Sequence, residues 1–222
     1  MDMLLTASDG HRFTAWITGP ENASRGIVIL PEIFGINAHI RQMAEHYAEH
    51  GYRAICPSLF DRSPGAEAGI QLNYDLPGRH RGMALRKSVT DIDALLDIEA
   101  AAAALGQRAQ KMITGYCWGG YMTWRAACTS TSFAAASCWY GGGIVNHCHD
   151  QPKIPVQLHF GEDDQHISQD DVATIRAAQP DLAIYTYPGA GHAFGREGNS
   201  AYHEGAARLA WERTLAFFDR QH

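Results

Sequence analysis

Two periods of apolar residues alternate along this chain. Residues 3–19 alternate polar and apolar side chains around Asp9-Gly10, a tight-turn pair, which predicts an antiparallel hairpin at the edge of a sheet. Gly26-Ile-Val-Ile-Leu30 is continuously apolar, as expected of a strand buried on both faces. Residues 38–50 change to helical spacing, with Ile40, Met43, Ala44 and Tyr47 on one stripe and Gly51 just past the end. Residues 52–56 then read as a second buried strand stopped by Pro57.

Residues 60–77 hold Pro, Gly and Asp with no sustained period and read as a long loop, a kind of segment that is often functional in compact domains. One long helix is expected after it, running through residues 97–105 to a stop at Gly106. Strands are expected at 111–114, 134–140, 155–160 and 182–187, with helices after Gly120 and near 170–178. A final helix over about 200–220 places Ala207, Trp211, Leu215 and Phe218 at helical spacing. Such alternation predicts an α/β fold with a mostly parallel sheet covered on both faces. Reactive groups then belong at the carboxyl ends of the strands.

Composition narrows the picture. The chain has 222 residues, 45% hydrophobic and 19% charged, with a formal net charge of −6. One domain over residues 1–222 is expected, with no room for a separate cap, and therefore a shallow pocket and a small substrate. The acidic balance gives no footprint for nucleic acid, so a small molecule is the expected partner. No stretch reaches the roughly 18–20 apolar residues of a membrane helix, and residues 1–10 do not read as a signal peptide, so a cytoplasmic location is expected. Five cysteines without a C-x-x-C pair argue against a disulfide framework and a zinc ribbon. His147-Cys148-His149-Asp150 carries metal-ligating types, but adjacent ligands without a distant second pair make a poor zinc site. A polar loop is the simpler reading, and no metal is expected.

Gly115-Tyr116-Cys117-Trp118-Gly119 fits the G-x-nucleophile-x-G elbow, in which a strand turns abruptly into a helix and holds the central side chain above the sheet. Cysteine stands where such turns commonly carry serine, and the following helix N-terminus favours its anionic sulfur. An elbow nucleophile needs an acid and then a histidine further along, each in a loop after its own strand. Residues 161–168 supply Asp164, with Asp163 as runner-up, and residues 188–192 supply His192. His192 would accept the thiol proton and the carboxylate would fix its ring. His159 and His166 fall beside the expected positions and read as packing residues.

Four segments together carry a specific resemblance. Pro31-Glu-Ile-Phe-Gly-Ile-Asn37, Gly115-Tyr-Cys-Trp-Gly-Gly120, the Asp164 loop and Gly191-His-Ala-Phe-Gly-Arg196 are similar to the signature segments of the dienelactone hydrolase family, over nearly the whole chain. The resemblance implies the α/β-hydrolase fold, with Cys117 as nucleophile, His192 as proton carrier and Asp164 as its orienting acid. It implies that Glu32 contacts the resting thiol and is displaced by substrate, and that the amides of Trp118 and Ile33 form the oxyanion hole. Two arginines would hold a substrate carboxylate, Arg196 and either Arg81 or Arg79, with Trp118 and Tyr140 lining the pocket. The implied enzyme is a monomer without cofactor that opens a small anionic enol lactone. A broader carboxylesterase acting on neutral esters is the first alternative, and a non-catalytic ligand-binding protein of this fold the second.

Overall fold

The Asp9-Gly10 turn closes the expected hairpin. In a computed structural model, which describes residues 1–107 and 109–221, β1 (Asp2–Thr6) pairs antiparallel with β2 (Arg12–Thr18), and Gly10 takes a positive φ of 88° at the turn. Among the described residues the strands run β1-β2-β4-β3-β5-β6-β7-β8 across one sheet. The β3/β4, β6/β7 and β7/β8 pairs are parallel, and the hairpin joins through an antiparallel β2/β4 pair. The chain divides into two compact units, Met1–Ile113 and the segment from Thr114 onward. No helix of the described residues is long and apolar enough to cross a membrane.

In the first unit, β3 (Arg25–Leu30) and β4 (Tyr52–Pro57) are the continuous apolar runs, with Ile27 to Leu30 fully buried. Between them lies α1 (Ala38–Glu49), started by Asn37, whose side chain accepts the Ile40 amide, and ended by Gly51 at φ 83°. Ile40, Ala44 and Tyr47 are buried on its inner stripe, while Met43 is half-buried.

The expected single long helix is instead two, α2 (Leu76–Lys87) and α3 (Asp91–Ala104). Thr90 takes an extended ψ of 155° and its hydroxyl accepts the Asp93 amide, so it starts a new helix within the span expected of one. Asp75 caps α2 by accepting the Gly78 amide at 2.7 Å, which places Pro77 in the first turn of the helix and ends the loop before it.

Arg62 ties this unit together. It leaves a short 3₁₀ turn (Leu59–Arg62) and meets both oxygens of the buried Asp97 on α3, at 2.8 and 3.0 Å, and Asp9 of the hairpin turn at 3.2 Å. The Asp97 side chain has 0% exposure and that of Arg62 8%. Burial pushes the Asp97 carboxyl up and Arg62 pulls it back down, whereas Asp9, open to water and bonded to Arg62, is lowered to about 2.

The second unit contains β5's end (β5 is Gln110–Tyr116), α4 (Trp118–Thr129), β6 (Ala135–Trp139), β7 (Val156–Gly161), α5 (Gln169–Ala178), β8 (Ala183–Tyr187) and α6 (Glu204–Asp219). A capping box between Ser168 and Asp171 starts α5. The last helix begins four residues later than the spacing predicts, at His203, whose ring accepts the Ala206 amide. Its buried face runs through Ala206, Ala210, Thr214 and Phe217, while Trp211 and Leu215 are half-buried. Thr214 is buried because its hydroxyl has partners in Ser137 at 3.0 Å and Gln157 at 3.1 Å.

Replacing Arg62 by Ala is expected to cost about 3–5 kcal/mol of unfolding free energy in urea, because Asp97 is left buried without its counter-charge. A loss below about 1 kcal/mol would show that the pair does not hold this unit together.

Candidate active site

The turn from β5 into α4 puts Cys117 at φ 54° and ψ −114°, a conformation that costs an L-residue of order 1–3 kcal/mol. Two crossings hold it. A Cβ on Gly115 would collide with the Gly119 carbonyl and the Thr123 hydroxyl, and one on Gly120 would collide with the Trp139 carbonyl. The sequence motif counts Gly119 as the second glycine, and Gly120 just after it lets α4 approach β6. The Cys117 amide donates to the Trp139 carbonyl at 3.0 Å and its carbonyl accepts from Tyr121 at 3.0 Å, so both backbone groups of the strained residue are satisfied. The Cys117 side chain lies at the N-terminus of α4, half-buried.

Asp164 and His192 come from the loops after β7 and β8. His192 Nδ1 donates to Asp164 Oδ2 at 2.8 Å, and Asp164 Oδ1 accepts the amides of His166 at 2.7 Å and Ile167 at 3.2 Å. The loops touch because Gly161 has no Cβ to strike the Ala190 carbonyl. That approach is fastened by the Asp163 amide to Ala190 and the Glu162 amide to Tyr187, at 2.9 and 3.0 Å. Of the two candidate acids, Asp164 has a fully buried side chain aimed at His192, while Asp163 is exposed.

His192 also interacts with Cys117. Burial pushes its pKa down, but the bonds to Asp164 and Cys117 and their charges outweigh burial and raise it to about 10. Tyr140, fully buried at φ 38°, sets its ring against His192 with centroids 5.4 Å apart. Arg196 is 9% exposed, in the turn after His192, where its amide donates to the Ala193 carbonyl.

The remaining sequence candidates lie in the first unit. Glu32 has 0% exposure, and the Tyr74 hydroxyl donates to its Oε2 at 3.4 Å while accepting from Asn37 Nδ2 at 2.9 Å. Tyr74 comes from the unpatterned loop, and nothing in the local sequence marks it. Ile33 is buried, and Gly82 of α2 packs so closely on its carbonyl that a Cβ there would collide. Arg79 and Arg81 are both exposed, and Arg81 donates to the Gly65 carbonyl at 2.7 Å.

His147 and Asp150 both bond Arg125, a cation standing where a metal ion would have to sit, and Cys148 is buried. Among the described residues no three metal-ligating side chains cluster. His159 is fully buried between Tyr187 at 2.8 Å and Thr214 at 3.3 Å, and its pKa falls to about 3 through burial and then Arg213, so it packs as a neutral ring.

A mostly parallel sheet flanked by helices, with a strained cysteine turn followed by acid and histidine loops, defines an α/β-hydrolase fold. Residues 13–222 match the model of the "Dienelactone hydrolase family". A "Carboxymethylenebutenolidase" from Pseudomonas putida is 30% identical over 220 residues, covering 94% of this chain and 92% of the relative. A solved structure from Klebsiella pneumoniae subsp. pneumoniae MGH 78578, provisionally named a dienelactone hydrolase, superposes with TM-score 0.82 at 31% identity, over 99% of each chain. The chain belongs to the dienelactone hydrolase family and is a hydrolase of that type.

Because the folded-state pKa of His192 lies above the ordinary 6.5, the folded protein binds its proton more tightly than the unfolded chain. This contribution to stability is full below about pH 6.5 and is lost as pH rises through about 10. Urea unfolding of the parent and of His192→Gln across that window should show a stability gap that narrows with rising pH. A constant gap would contradict the raised pKa.

Proposed function

We propose that the protein hydrolyses a small enol lactone carrying a carboxylate, through Cys117, His192 and Asp164. The observation that carries this reading is the 2.8 Å bond between His192 and the buried Asp164, with Cys117 acting on the same imidazole. At rest the sulfur is read as a thiol, and once substrate binds His192 takes its proton, so that the attacking pair is a thiolate beside an imidazolium.

The Cys117 sulfur attacks the lactone carbonyl, and the carbonyl π electrons move onto oxygen. The amide of Trp118, at the first turn of α4, is a donor suited to that oxyanion, and the family motif adds the amide of Ile33. Collapse expels the ring oxygen as an enolate, which takes the proton from His192 and leaves a thioester on Cys117. Neutral His192 then deprotonates water, which attacks the thioester, and expulsion of the thiolate restores the pair. An enolate leaves more readily than an alkoxide, so a soft thiolate suffices. Asp164 keeps the His192 ring in one orientation and offsets its charge.

By the family resemblance, Glu32 restrains the resting thiol until substrate arrives. A carboxylate near sulfur disfavours the thiolate by like-charge repulsion, which would protect the cysteine of the free enzyme. Arg196 is the first choice for the substrate carboxylate, since a guanidinium in partly dry surroundings binds carboxylate strongly. The protein is further read as a cytoplasmic monomer that draws on its own side chains alone.

A second reading, a broader carboxylesterase acting on neutral esters, is favoured by the state of Arg79 and Arg81, both exposed and one already bonded to Gly65. The two readings separate by assay. Purified protein should hydrolyse cis- or trans-dienelactone faster than a neutral aryl ester, and Arg196→Glu should reverse that preference. Unchanged activity on the anionic lactone after Arg196→Glu would leave the neutral-ester reading. Cys117→Ala should lower turnover by about 10³-fold or more. Stoichiometric iodoacetamide labelling of Cys117 should be lost in His192→Ala, and an inert Cys117 at neutral pH would point to a binding protein instead.

A further inference from the structure

His166 stands two residues beyond the acid, in a loop whose other side chains mostly face water. Glu162, Asp163, Gln165, His166 and Ser168 are all exposed, yet the Asp164 side chain between them has 0% exposure and that of His192 17%. Something must cover the Asp164–His192 bond on that side. The His166 ring lies against the His192 ring with centroids 4.9 Å apart and planes at 82°, an edge-to-face pair, while the backbone N–H of the same residue donates to Asp164 Oδ1 at 2.7 Å. One residue therefore fixes the acid with its amide and packs on the histidine with its side chain. The Tyr140 ring also meets His192, at 5.4 Å, so two rings pack against the imidazole.

We propose that His166 is a positioning residue that shields the Asp164–His192 hydrogen bond from water and holds the His192 ring in register. This rests on the reading of His192 as the proton carrier. A carboxylate–imidazole bond strengthens as water is excluded, because the effective dielectric around it falls. The edge-to-face contact limits rotation of His192, whose other partner is Cys117. What matters in this role is a flat ring at position 166, and its ability to titrate is incidental.

Two variants separate this role from general packing. His166→Ala removes the ring, and His166→Phe keeps a ring of similar thickness that cannot carry a proton. The first readout is the far-downfield proton NMR resonance of the His192 Nδ1–H bonded to Asp164. In the parent and in His166→Phe it should exchange slowly with water, and in His166→Ala it should exchange about tenfold faster or more. The second readout is hydrolysis of 4-nitrophenyl acetate, where His166→Ala should lose about tenfold in kcat with little change in KM, a loss of about 1.4 kcal/mol, and His166→Phe should restore most of it. Exchange in the parent as fast as in His166→Ala would overturn the proposal. So would equal damage by Phe and Ala. The exchange measurement needs no turnover, so a failure of the hydrolase reading would appear separately, as full activity in Cys117→Ala.

Discussion

Everything at the site follows from how closely the end of β5, the start of α4 and the end of β6 approach one another. Gly115 and Gly120 are the contact points, where any side chain would drive into a neighbouring carbonyl. That closeness leaves no relaxed path for the chain, and the strain collects at Cys117, φ 54°. The strained residue is held because its amide and carbonyl are both bonded, to Trp139 and Tyr121. A side chain fixed in this way loses little entropy on meeting a reaction partner.

The same economy of approach governs Asp164 and His192. Gly161 brings the loop after β7 onto the loop after β8, and the 2.8 Å bond between Asp164 and His192 is the result. Burial would by itself favour a neutral imidazole. The bond to Asp164 and the charges of Asp164 and Cys117 win, and the His192 pKa rises to about 10. His159 makes the comparison concrete, since it is equally surrounded by protein but has hydroxyl partners and a nearby Arg213, and its pKa falls to about 3. Two histidines of one unit are thus driven in opposite directions, His159 by burial with Arg213 adding to it, His192 by the carboxylate and sulfur that outweigh burial.

In the first unit the organising contacts are long-range and polar. Arg62 joins the hairpin turn to α3 through Asp9 and Asp97. The loop after it returns over the Glu32 segment, where the Leu72 amide donates to the Phe34 carbonyl, the Tyr74 ring packs on Phe34 with centroids 4.7 Å apart, and its hydroxyl meets Glu32 and Asn37. A segment without periodicity is therefore ordered by what it rests on.

Periodicity alone located the hairpin, the buried strands β3 and β4, α1 with its Gly51 stop, and the order of strands and helices through the second half. These are local or nearest-neighbour properties: alternation, continuous apolar runs and turn glycines act over a few residues. The elbow and its two later loops were legible for the same reason, because the order of motifs along the chain reflects the order of strands. The break at Thr90 and the later start of α6 were not legible, because capping by Thr90 and His203 depends on backbone angles that composition does not reveal. The preference for Asp164 over Asp163, already drawn from the loop's spacing, gains its physical reason from the loop's path, since neighbouring carboxylates differ in which one the fold buries. Tyr74 and His166 were likewise beyond the sequence. Each acts through a contact with a residue distant in the chain, 42 positions from Glu32 in one case and 26 from His192 in the other, and only tertiary structure brings such pairs together.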